Sequence, residues 1–166
     1  MFISTLDLFK IGIGPSSSHT MGPMVAAKNF RDLLEKFASS NAVSDFLHVR
    51  CTLRGSLAFT GKGHATDRAV TLGMYRHTPQ ALAKVDVNTL FQELWQQSSF
   101  RTDNDRLIHF NPVEDIIFDR SDPLPEHPNG MIFQLLDGTG KTLLSETYFS
   151  IGGGFISTIA EIGQIV

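Results

Sequence analysis

Leu47-His48-Val49-Arg50-Cys51-Thr52-Leu53 alternates apolar and polar side chains at every step. A strand has a two-residue side-chain period, so this run predicts a strand with one face in a core and the other half-solvated. On its N-terminal side, Val25, Phe30, Leu33, Leu34 and Phe37 recur at helical spacing, with Arg31, Asp32 and Glu35 on the opposite face. Pro23 falls where a first helical turn begins, and Ser39-Ser40-Asn41 marks the end. On its C-terminal side, the pattern predicts a helix over 66–75, capped by Thr66 or Asp67. Another follows over 88–97, with Leu90, Leu94 and Trp95 turned inward. The second half changes character. Residues 107–110, 115–118, 131–136 and 142–149 read as strands, and Asp137-Gly138-Thr139-Gly140 as the hairpin turn joining the last two. The stretch 119–130 holds three prolines and reads as a loop. Together these elements predict an α+β domain: a small, mostly antiparallel sheet with helices packed on one face.

The bulk numbers set outer bounds. The chain has 166 residues, 42% hydrophobic and 19% charged, enough for one domain with a real core. A net charge of -3 without a run of either sign argues against nucleic acid and anionic membranes as partners. No apolar stretch reaches the length of a membrane helix. Residues 1–10 read as a short helical lead with Phe2, Leu6 and Phe9 on one side and no basic run, so a cytoplasmic location is expected. A single cysteine, Cys51, excludes an internal disulfide framework and any multi-cysteine metal site built by these residues alone. Its inward strand position reads as small core filling.

The chemistry concentrates elsewhere. Gly12-Ile13-Gly14-Pro15-Ser16-Ser17-Ser18-His19-Thr20 packs two glycines, a proline, four hydroxyls and an imidazole into nine residues. Glycine and proline fix an irregular backbone, and hydroxyls and amides then converge on one small volume just before a helix. That suits a small carboxylate or phosphate, and His19 adds a group able to move a proton near neutral pH. Each hydroxyl taken singly could equally be a turn or cap residue. A second Gly-flanked histidine stands in Gly61-Lys62-Gly63-His64, followed by Thr66 and Asp67. If His19 and His64 face one pocket, the pair suits acid–base work on a small substrate. Lys62 could neutralise a carboxylate or remain a solvated loop lysine. His48, His77, His109 and His127 lack such a setting, and no metal-binding HxxxH, GxSxG elbow or Walker A loop is present.

The run from Asp7 through Thr20 with Gly22-Pro23-Met24 resembles the N-terminus of the bacterial iron–sulfur L-serine dehydratases. Gly55-Ser56-Leu57-Ala58 with Thr60-Gly61-Lys62-Gly63-His64 and Thr66-Asp67 is similar to the family's second motif, and Tyr148 through Phe155, with Gly152-Gly153-Gly154, to its third. The closest likeness is to the single-polypeptide form, whose N-terminal part is the β domain. The resemblance implies residues 1–155 as that domain, with 156–166 leading toward a catalytic α domain. It implies a fold like the allosteric substrate-binding domain of some phosphoglycerate dehydrogenases. It implies β-elimination of water from L-serine, giving pyruvate and ammonia, on a [4Fe-4S] cluster in place of pyridoxal phosphate. An open iron site would draw off the substrate hydroxyl. The family's cluster cysteines lie in the α domain, so this chain alone is expected to bind no metal and turn over no serine. His19 and His64 are the implied catalytic residues. Ser16, Ser17, Ser18, Thr20, Lys62 and Thr66 are the implied substrate contacts. L-serine, the α domain of the same polypeptide and a second copy in a homodimer are the expected partners. The alternative is a non-catalytic module that binds serine or another small anion and mediates dimerisation.

Overall fold

The computed structural model describes residues 17–40, 46–60, 65–82 and 85–165. The expected N-terminal helix, the segment 12–16 and the positions Ser16, Lys62 and His64 lie outside the described residues.

Helix α1 (Met21–Ser40) leads into β1 (Leu47–Gly55) and the short α2 (Ser56–Thr60). Helices α3 (Thr66–Met74), α4 (Pro79–Leu82) and α5 (Val87–Trp95) follow. Then come β2 (Ser99–Arg101), β3 (Leu107–His109), α6 (Pro112–Asp115), β4 (Ile116–Asp119), β5 (Asn129–Asp137), β6 (Thr142–Gly152), β7 (Phe155–Thr158) and α7 (Ile159–Ile165). No helix among the described residues is long and apolar enough to cross a membrane.

The seven strands form one open sheet in the order β2-β3-β1-β5-β6-β7, with β4 also on β1. Four antiparallel pairings outnumber two parallel ones, so the sheet is mixed but mostly antiparallel. The parallel partners share one edge of β1: β3 meets it at His48 and β4 at Cys51 to Arg54, while β5 runs antiparallel along the other edge. Between β3 and β4 the Asn111 side chain accepts from Val113 N at 3.1 Å and Pro112 opens α6, which breaks one strand line into two.

Along β1 the alternation holds. Leu47, Val49, Cys51 and Leu53 are fully buried and the residues between them half-buried. Phe133 of β5 stacks on Phe30 of α1 with ring centroids 5.3 Å apart, and meets Tyr148 of β6 edge-on at 5.8 Å. The Tyr148 hydroxyl donates to Asn29 Oδ1 at 2.7 Å, tying α1 to β6, and burial pushes this phenol well above its ordinary range. Burial likewise pushes the Cys51 thiol far up, as fits a core residue. A second apolar cluster joins Met24 of α1 to Ala69 and Leu72 of α3, Leu82 and Val87.

Several sequence expectations are corrected. Arg31 is not on the outer face of α1: it is 6% exposed. Its Nε donates to Glu35 Oε2 at 2.9 Å, Nη1 to the Met74 carbonyl at 2.7 Å and Nη2 to the Arg101 carbonyl at 3.3 Å, and its guanidinium lies 4.0 Å over the Phe100 ring. Arg76 approaches the same Glu35 oxygen at 2.8 Å and grips both oxygens of Asp103 at 2.9 Å. Burial draws the Arg31 guanidinium below its usual range against the pull of Glu35, and the cluster holds only because each charge is matched. Residue Ala65, in the left-handed region at φ 60°, precedes α3 without a side-chain cap, in place of Thr66 or Asp67. Leu90, Leu94 and Trp95 are half-buried, and Val87 alone in α5 is buried. The short edge strands β2 and β7 carry too few residues to show a period.

Glu35→Ala should lower the unfolding free energy by about 3–5 kcal/mol by stranding the buried Arg31 charge. The exposed Asp32→Ala, which loses only an i,i+4 partner, should cost about 0.5 kcal/mol or less. Urea unfolding of both variants checks this; equal effects would contradict it.

Candidate active site

Residues Ser17 to Thr20 form a turn that feeds directly into α1. Gly22 N donates to the Ser17 carbonyl and Met24 N to the Thr20 carbonyl, each at 3.0 Å, so the loop is continuous with the helix. The first turn of α1, a 20-residue helix, carries no acidic residue of its own, and its positive end favours an anion.

His19 is the hub. It is 9% exposed, and both ring nitrogens meet hydroxyls. Nδ1 lies 2.9 Å from Ser18 Oγ, and Nε2 lies 2.9 Å from Thr60 Oγ1 and 3.2 Å from Ser56 Oγ. Thr60 donates its one hydroxyl proton to the Ser56 carbonyl at 2.8 Å. With the proton so placed, its oxygen accepts from the ring, and the hydrogen-bond network assigns the proton of the neutral imidazole to Nε2. Nδ1 is then the basic lone pair, and Ser18 donates to it.

The backbone explains why these groups meet. Gly55 ends β1 at φ +64°, a left-handed turn in which a Cβ would lie 2.0 Å from the Pro128 carbonyl. That turn aims Ser56 N at the Pro128 carbonyl, 2.8 Å away, and starts α2 beneath His19. Ser56 and Thr60, four residues apart, share one side of a single helical turn. Thr66, fully buried at the start of α3, donates from Oγ1 to the His19 carbonyl at 2.6 Å. Thr60 and Thr66, which stand before and after the segment 61–64 in the sequence, thus both bond to His19.

Of the expected site residues, the structure brings together Ser18, His19 and Thr66, with Thr20 buried beside them and Ser17 joined through its carbonyl. Thr66 spends its proton on the loop backbone, so it holds the loop. Ser56 and Thr60 were missed as partners of His19. The readable signal was a Ser and a Thr at helical i,i+4 spacing directly after a strand-ending glycine.

A separate polar cleft of about 310 Å³ lies at the other end of β1, lined by Phe46, His48, Ser98, His109, Asn111, Glu114 and Asp115. His48 Nε2 is 2.6 Å from Asp115 Oδ1, and Asp115 Oδ2 accepts from Asn111 N at 2.6 Å, so this carboxylate is fully engaged within the fold.

Residues 4–161 match the sequence profile of the family described as serine dehydratase beta chain. This chain belongs to that family. It is 45% identical over 156 residues to the L-serine dehydratase TdcG of Escherichia coli, covering 93% of this chain and 33% of that protein. It is 38% identical over 162 residues to an L-serine dehydratase of Helicobacter pylori, 98% of this chain and 34% of the relative. A Mycobacterium tuberculosis L-serine dehydratase is 41% identical over 171 residues, 99% and 35% respectively. The chain thus spans about a third of the length of the curated relatives it matches.

Within this family member, the ring proton of neutral His19 should be found on Nε2 by heteronuclear NMR of the imidazole. Thr60→Val should remove that preference with the fold intact. A ring protonated on Nδ1 in the unsubstituted chain would contradict the geometry.

Proposed function

We propose that this chain is the β part of an iron–sulfur L-serine dehydratase and contributes His19 and its loop to an active site completed by a catalytic α domain of the same polypeptide. The observation that carries the reading is the meeting of two separated sequence motifs on one imidazole. Residues 1–155 would form the β domain and 156–166 lead onward to the α domain, in a cytoplasmic homodimer.

L-serine loses its α-proton and its hydroxyl as water, leaving aminoacrylate. That product tautomerises to an imine and is hydrolysed to pyruvate and ammonia. The α-proton is weakly acidic, so a base must stand against it. His19 Nδ1 has the lone pair for this once the Ser18 hydroxyl yields its place, and His64, on the segment between Thr60 and Thr66, is the second proton-handling group. The substrate carboxylate belongs at the N-terminus of α1, whose first turn carries no acidic residue, with Ser16, Ser17, Ser18 and Thr20 supplying donors and Lys62 a charge. Thr66 acts by fixing the His19 backbone. A [4Fe-4S] cluster does not fit the residues present. Cys51 is the one thiol and is sealed in the core, and the described residues contain no group of His, Cys, Asp and Glu able to hold a metal. In this reading the cluster's ligands lie in the α domain, and pyridoxal phosphate is not used.

In the complete enzyme, His19→Ala should cut kcat by about a hundredfold or more, within the range for losing a general base. Ser18→Ala, which removes one of several carboxylate donors, should raise KM with a smaller loss of kcat than His19→Ala. If His19→Ala changes only oligomeric state or activation by serine, the chain is a binding and assembly module and the half-site reading fails.

A further inference from the structure

Among the described residues, Ser150 is the one buried hydroxyl without a hydrogen-bond partner. It is fully buried on β6. A hydroxyl in that state costs stability, and its persistence asks for a reason.

Its position supplies one. Ser150 Oγ lies against Gly22, the second residue of α1, and a Cβ on Gly22 would stand 2.1 Å from that oxygen and 2.8 Å from Ser150 Cβ. The serine side chain fills the room that glycine leaves. On the helix side, Gly22 N is bonded to the Ser17 carbonyl, so whatever moves Gly22 moves the His19 loop. On the sheet side, Ser150 is fixed by its pairing with Ile156 of β7 and by Asn129 Nδ2, which donates to its carbonyl at 3.2 Å. Asn129 adjoins Pro128, whose carbonyl accepts from Ser56 N, and Ser56 Oγ meets His19. The contacts therefore close a ring: His19, Ser56, Pro128 with Asn129, Ser150, Gly22, and back along the loop to His19.

We propose that Gly22 and Ser150 form a fitted joint that sets the distance of His19 from Ser56 and Thr60, which makes Ser150 a positioning residue for the imidazole. Of the other links, Gly22 to Ser17 and Ser56 to Pro128 are backbone hydrogen bonds, Asn129 to Ser150 runs from side chain to backbone, and His19 to Ser56 joins two side chains. The side-chain volume shared by positions 22 and 150 is the one free dimension. A methyl added at 22 lifts the first turn of α1 off β6 and lengthens the His19 ring contacts. Removing the serine side chain gives that room back. The consequence for turnover rests on the proposed role of His19; the joint itself does not.

The test is an exchange of volume across the joint. Gly22→Ala should shift the His19 imidazole resonances and their pH-titration midpoint in this chain. In the complete enzyme it should lower kcat by about ten- to a hundredfold, the scale of a misplacement near 1 Å. Gly22→Ala with Ser150→Gly should return the His19 resonances toward those of the unsubstituted chain and recover most of kcat. Ser150→Ala should leave the thermal midpoint unchanged or raise it, since the lost hydroxyl had no partner. Should Gly22→Ala fail to fold, Ser150→Thr adds a methyl from the opposite side and must move the same resonances. Unchanged His19 resonances in Gly22→Ala or Ser150→Thr, or no recovery in the double variant, overturn the proposal. Resonances that shift and recover, while His19→Ala leaves turnover intact, keep the joint and remove only the catalytic reading.

Discussion

One buried hydrogen bond, from Thr66 Oγ1 to the His19 carbonyl, joins the start of α1 to the start of α3. At the end of α3 the Met74 carbonyl accepts from Arg31 Nη1, midway along α1. Between these two ties, Met24 packs with Ala69 and Leu72, so α3 is fixed at both ends against the first half of α1. Because α1 also carries Phe30 onto Phe133 and Asn29 onto Tyr148, the helix pair has one place on the sheet. A buried carbonyl without its donor is costly, which makes the Thr66 bond a strict condition on how the two sequence motifs meet.

That condition turns a flexible loop sequence into a site. A serine-rich turn such as Ser17 to Thr20 has many backbone states open to it, and ordering it costs entropy. Here the cost is offset by a ring of contacts in which each member belongs to a rigid element. Ser56 and Thr60 stand on α2, Thr66 on α3, and Ser17 to His19 on the lead into α1. The imidazole is held at both nitrogens before any ligand arrives, which favours a defined proton position over a freely turning ring.

Much of this was legible in the sequence, and the gaps have physical causes. The alternation from Leu47 to Leu53 fixed the orientation of β1, and Asp137-Gly138-Thr139-Gly140 marked the β5–β6 hairpin, because period and turn chemistry are local. The parallel pairing of β3 and β4 with β1 was not legible, since register between distant segments leaves no local trace. Arg31 was placed outside because a helical wheel assigns charge to solvent; the Glu35 carboxylate, the carbonyls of Met74 and Arg101 and the ring of Phe100 together make its burial tolerable. In the site, the structure brings Ser18, His19 and Thr66, which lie on two separate sequence motifs, into contact. Ser56 and Thr60 were passed over because a five-residue helix carries too little periodicity to show which side it presents.

In the proposed function the site is shared: this chain would bring the histidine loop, and the remaining two-thirds of the longer relatives would bring what removes the hydroxyl. Anaerobic pyruvate formation from L-serine tests it most directly. It is measured with this chain alone, with the cluster-reconstituted remainder of the enzyme alone, and with the two mixed. Activity in the mixture and in neither part alone is the predicted result. Full activity from the remainder alone would contradict it and leave His19 without a catalytic part.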